Sequence, residues 1–191
     1  MICPHCWNET DDPLATQKGG KPLVLAPPTE MKIGFSTPKH FNPVSWLVRK
    51  LTGSAASHAF FIFYDHDWEA DWMMEAHELG FRDQSLERFE KKNEIVATFI
   101  PKVSIAVGLK YVAKTYIGTA YDYGGLFGTA PILFWRWLKK KIHNPLHSPK
   151  NVFCSEAVVI ALQKSNYPGA EKLVAQDTTP QDLLNFFKEA A

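Results

Sequence analysis

Three side chains of this sequence form a set able to cleave an acyl bond: Cys154 in FCSEAVV, His58 in SHAFFIFYD and Glu75 in DWMMEAH. A thiolate is a strong nucleophile toward carbonyl carbon. It needs a base for its proton, and a histidine base needs an orienting group on its second ring nitrogen. Cys154 falls one or two residues inside a predicted helix, capped by Asn151 or by Ser148 before Pro149. The unpaired N–H groups and the positive dipole end there favour thiolate over a thiol whose ordinary pKa is about 8.5. The same N–H groups suit the oxyanion of a tetrahedral intermediate. Taken alone, Cys154 fits a small buried apolar residue equally well, since it shares a helical stripe with Val158 and Ala161. His58 and Glu75 tip the balance.

His58 opens the most apolar strand of the chain, directly after the small residues from Gly53 to Ser57. A histidine at a strand end can meet a neighbouring helix terminus and titrates near neutrality. In the next strand Glu75 and His77 share a face, and strand pairing sets one or the other opposite His58, depending on loop register. Glu75 is flanked by Met74 and Ala76. A carboxylate in such a strand is costly unless it is paired.

The elements that must position these groups can be read from pattern. Residues 1–30, with Pro13, Pro22, Pro27 and Pro28 and a Gly19-Gly20 pair, read as a loosely ordered lead-in to one domain over 31–191. MKIGFS reads as a strand, and Pro43 to Leu51 as a helix with Asn42 as N-cap and Pro43 at its first position. SHAFFIFYD, DWMMEAH and EIVATFI are further strands, with a turn at Gly80, and local hairpins would make an antiparallel sheet of them. Residues 103–117 carry Ile105, Leu109, Val112 and Tyr116 at helical spacing. Residues 126–142 and Cys154 to Lys164 read as two more helices. Thr179-Pro180-Gln181-Asp182 starts another, with a cap, a proline and a carboxylate in the right places. The predicted class is α+β, an antiparallel sheet packed against helices with the nucleophile at a helix N-terminus.

Composition narrows the functional classes. The chain has 191 residues, 46% hydrophobic and 21% charged, with a formal net charge of +1. These values suit a globular domain with its own core. Ten acids fall within residues 65–94 and none within 123–155, where Arg136, Lys139, Lys140, Lys141 and Lys150 lie. That basic stretch is either a solvated face or one turned toward an anionic partner. Phe134 to His143, FWRWLKKKIH, suits a core-packed helix with solvated lysines, or peripheral contact of the 126–152 stretch with a membrane or anionic polymer. Only three cysteines are present, which argues against a disulfide framework. Cys3-Pro4-His5-Cys6 resembles half of a zinc knuckle, yet no second cysteine pair completes four ligands, so no metal is expected. No cofactor motif, phosphate-binding glycine loop or nucleic-acid module is visible. The start lacks a charged segment followed by an apolar run, and Leu126 to Leu138 is too short to span a bilayer. A cytoplasmic protein is expected, unless another route exports it.

The order of the motifs resembles a known superfamily. IGTAYDYGG, from Ile117 to Gly125, looks like the G-x-x-Y-x-x-G-G element of NlpC/P60 cysteine peptidases. The histidine strand precedes the cysteine here. That order is similar to the circularly permuted branch, with its YiiX-like and lecithin–retinol acyltransferase members. Ser57-His58, Glu75-Ala76, Gly118 to Asp122 and Cys154-Ser155-Glu156 follow one another as in YiiX-like proteins. The resemblance spans roughly residues 31–187. It implies a papain-like fold, with Cys154 as nucleophile, His58 as base, Glu75 as orienter, and Tyr121 and Ser155 beside substrate or oxyanion. Met31 to Ser36 lacks the usual Gly-Asp of the first strand, and the 126–152 connection has no counterpart role in the pattern. By resemblance the substrate is an amide: a peptide, isopeptide or peptidoglycan stem peptide, the last implying a phage-like release route. The alternative is lipid acyl transfer or phospholipid hydrolysis through the same thioester. A binding module with a disused site is the third reading, and the intact set of Cys154, His58 and Glu75 argues against it.

Overall fold

A computed structural model describes residues 31–66, 69–77, 80–117, 119 and 152–190. Five strands form one sheet: β1 (Lys32–Pro38), β2 (His58–Asp65), β3 (Ala70–His77), β4 (Gly80–Ser85) and β5 (Asn93–Phe99). Their order is β4-β3-β2-β1-β5, and each neighbouring pair is antiparallel. Helices α1 (Pro43–Thr52), α2 (Leu86–Glu90), α3 (Ala106–Tyr116), α4 (Cys154–Lys164) and α5 (Pro180–Ala190) complete the architecture. The α+β class expected from the sequence is therefore observed.

Strand alternation explains why the sheet has two different faces. Ile33, Phe35, Ala59, Phe61, Met74 and Ala76 turn to one side and bury against α3, α4 and α5, in the main core. Phe60, Ile62 and Met73 turn to the other, where they meet Phe89 of α2 in a smaller apolar cluster. Gly34 is required in β1 because a Cβ there would run into the Phe60 ring. Gly80 opens β4 at φ +110°, a conformation that favours glycine.

Local signals hold up well. Asn42 caps α1 through a 2.9 Å bond from the Ser45 N–H, with Pro43 at the first position. Thr179 and Asp182 cap α5 reciprocally: Asp182 Oδ2 accepts from the Thr179 N–H at 3.0 Å, and Thr179 Oγ1 accepts from the Asp182 N–H. One expectation needs correction. The sheet is not built by local hairpins alone, because α1 intervenes between β1 and β2, and β5 returns to pair with β1 across the whole intervening meander. Residues 80–90, to which the sequence assigns only a turn at Gly80, form β4 and α2. The helix expected over 126–142, residues 1–30, and Tyr121 lie outside the described residues.

Candidate functional site

His58, Glu75 and Cys154 come together. His58 and Glu75 project from the second face of the sheet, as Phe60 and Met73 do two residues away. The β2–β3 paired run extends from Asp65↔Ala70 to Phe61↔Met74. Continued by register it would set His58 across from His77 and Phe60 across from Glu75. Glu75 reaches His58 diagonally, within the span of long side chains. Its Oε2 lies 2.8 Å from His58 Nε2. Glu75, and not His77, is the partner of that ring nitrogen.

Cys154 is a second side-chain hydrogen-bond partner of the His58 imidazole. Helix α4 packs across β2 and β3 and starts at Cys154 itself. Its N-cap is Phe153, which has no capping oxygen. Glu156 Oε2 accepts from the Phe153 N–H at 3.4 Å instead. Asn151 and Ser148, the expected caps, lie outside the described residues. The ladder of α4 begins with the Ala157 N–H on the Phe153 carbonyl at 3.0 Å, so the Ser155 N–H has no acceptor within the helix.

The rest of the shell fixes the histidine ring and the carboxylate. The ring stacks on Phe60 at 5.9 Å and 16°, with Phe89 tilted at 6.3 Å. Glu75 Oε1 accepts three hydrogen bonds: from Arg82 Nε at 3.0 Å, Arg82 Nη2 at 2.8 Å and Gln84 Nε2 at 2.9 Å. Arg82 stands directly across β4 from Glu75, and Gln84 two residues on, across from Met73. One carboxylate oxygen is thus given to β4 and the other to His58. Sequence reading missed Arg82 and Gln84, because FRDQS after the turn at Gly80 carries no element of its own there. Their alternation across a hairpin from a buried acid was the available signal.

Burial and charge set the protonation states. Glu75 is 2% exposed and Cys154 1%. Burial pushes Glu75 upward, but hydrogen bonds and charge from His58 and then Arg82 bring its pKa down to about 2. Burial likewise pushes His58 downward. The hydrogen bonds and negative charge of Cys154 and Glu75 outweigh it, raising its pKa to about 10. At neutral pH these shifts keep the imidazole protonated and the Glu75 carboxylate ionised.

Ser155 follows Cys154 in the first turn of α4. Its side chain is fully buried, and its hydroxyl donates to the Thr178 carbonyl at 2.7 Å. The hydroxyl ties α4 to the segment before α5, so only the backbone N–H of Ser155 is available as an oxyanion donor. Tyr121 is outside the described residues. Among the described residues, no group of three or more His, Cys, Asp or Glu side chains is gathered as a metal ion requires, and no helix is long and apolar enough to cross a membrane. Cys3, Cys6 and most of the 126–152 stretch fall outside that description.

Fold and site together define an α+β domain that gathers Cys154, His58 and Glu75 into one mostly buried cluster. No family model, no curated protein and no solved structure matches this chain.

Proposed function

We propose that this chain is a cysteine hydrolase of the permuted papain-like kind, cleaving amides through Cys154. The observation that carries the reading is His58 hydrogen-bonded both to Cys154 and, through Nε2, to Glu75. The Cys154 thiolate attacks the substrate carbonyl, and the negative charge moves to the carbonyl oxygen near the first turn of α4. Collapse of that intermediate breaks the C–N bond. His58 gives its Nδ1 proton to the departing amine, leaving a thioester on Cys154. Neutral His58 then takes a proton from water, hydroxide attacks the thioester, and the acid leaves as the thiolate reforms and the imidazolium is restored. Glu75 holds the ring and its tautomer throughout, as an orienting carboxylate does.

Intact mass after brief incubation tests this directly. Purified protein is offered muropeptides, isopeptide conjugates and phospholipids, beside Cys154→Ala. An acyl adduct confined to Cys154 is expected, and turnover in Cys154→Ala should drop by about 10³-fold or more. Hydrolysis unchanged by Cys154→Ala would refute the thiol mechanism. A fatty acyl adduct with no peptide cleavage would replace the amidase by the lipid acyl chemistry of the related branch.

A further inference from the structure

A cleft of about 700 Å³ opens beside His58 on the second face of the sheet, between α1 and α2. That size is typical of small-molecule sites. One wall is apolar, made by Phe41, Val44, Val48 and Phe89. The charged lining is Glu75 against Arg82, Arg88 and Lys92. Glu75 is already matched by His58 and Arg82. Arg88 and Lys92 sit four residues apart on α2 and the turn after it, and make no ion pair among the described residues. Of the two acids of α2, Glu87 pairs with Lys91 at 2.9 Å, and Glu90 does not line the cleft. Residues 31–64 contain no acid at all, so the α1 side of the cleft adds none.

An apolar wall facing two unmatched cations is complementary to an anion carried on an apolar group. We infer that this cleft binds an organic anion, a phosphate or carboxylate attached to a short hydrocarbon chain. The chain lies on Phe41, Val44, Val48 and Phe89, and the anion meets Arg88 and Lys92. Arginine supplies a planar fork suited to such oxygens, and lysine a point charge. That the bound molecule is also the substrate rests on the hydrolase reading above, whereas occupancy of the cleft does not.

Isothermal titration with hexyl phosphate, 1-hexanol and inorganic phosphate separates the two halves of the site. The wild-type protein should bind one hexyl phosphate, at least about ten-fold tighter than either fragment, and more weakly as salt shortens the Debye length. Arg88→Glu/Lys92→Glu should weaken binding by about ten-fold or more, and Arg88→Gln/Lys92→Gln by a smaller factor, with both melting as the wild type does. Cys154→Ala should bind unchanged. Equal affinity in both double variants overturns the inference, as does hexanol or inorganic phosphate binding as tightly as hexyl phosphate. Binding of hexyl phosphate with no acyl adduct on Cys154 from any muropeptide, isopeptide conjugate or phospholipid would sink the hydrolase and leave the cleft standing; an acyl adduct without hexyl phosphate binding would do the reverse.

Discussion

Replacing Glu75 by glutamine exchanges one oxygen for an amide nitrogen, and the neighbours dictate which way round the amide sits. Three N–H donors, two from Arg82 and one from Gln84, converge on Oε1. Turning the NH₂ toward them would set donor against donor beside a cation, so the carbonyl oxygen stays there and the NH₂ faces His58. An NH₂ donates to Nε2, and the imidazole must then carry its single proton on Nδ1, facing Cys154. In that tautomer it cannot take the thiol proton. Burial, no longer offset by the carboxylate, also disfavours the imidazolium. The variant therefore loses the thiolate. At pH 6 a thiol of ordinary pKa near 8.5 is ionised to roughly one part in 300, whereas the proposed His58–Cys154 pair holds a thiolate. Alkylation of Cys154 by iodoacetamide at pH 6, followed by peptide mass so that Cys3 and Cys6 are counted separately, should slow on the order of 10²-fold. Turnover should fall further, on the order of 10⁴-fold, because both proton transfers fail. If Glu75→Gln melts like the wild type and is alkylated within about three-fold of its rate, the relay reasoning is wrong.

Two more outcomes follow from the same contacts. His58 is raised from 6.5 to about 10, so its share of stability is full below pH 6.5 and is lost as pH rises through about 10. Glu75 is lowered from 4.5 to about 2, so its share is full above pH 4.5 and is lost as pH falls through about 2. The melting difference between wild type and His58→Gln/Glu75→Gln should peak between about pH 4.5 and 6.5, and a flat difference from pH 3 to 10 would refute the ion pair. Ser155→Ala removes the 2.7 Å bond to the Thr178 carbonyl. It should cost about 1–2 kcal/mol in denaturant melts and leave kcat within about two-fold, while a large kcat loss at unchanged stability would return the hydroxyl to the chemistry.

What was legible in the sequence is what depends on near neighbours. The aromatic run of β2, the proline-started helices and the Thr179–Asp182 cap are decided within a few residues, and the structure repeats them. The pairing of β5 with β1 was not legible, because nothing in EIVATFI marks which edge it joins. β4 was missed for a different reason. GFRDQS is polar, and polarity next to a turn reads as solvent exposure, although Arg82 and Gln84 are polar because they face a buried carboxylate. The choice between Glu75 and His77 was closed to sequence reading as well. Register continued from the ladder sets His77 across from His58, and only the diagonal reach of Glu75 selects the acid.

The position of Glu75 explains why a buried acid is tolerated in that strand. A carboxylate there without β4 would face the apolar second face with one partner, His58, and burial would drive it to the neutral form. Arg82 and Gln84 saturate Oε1 and keep the group charged, which leaves Oε2 with a single task. The charge on Glu75 then supports the charge on His58 across 2.8 Å, and in the proposed mechanism the charge on His58 supports a thiolate at Cys154. Chemistry at the sulfur therefore depends on a polar strand that never touches it. The dependence also runs through the fold, since Cys154 arrives on a helix from the far end of the chain and meets His58 only once α4 has docked on β2 and β3. A protein in which α4 has come loose keeps every one of these residues and has no relay.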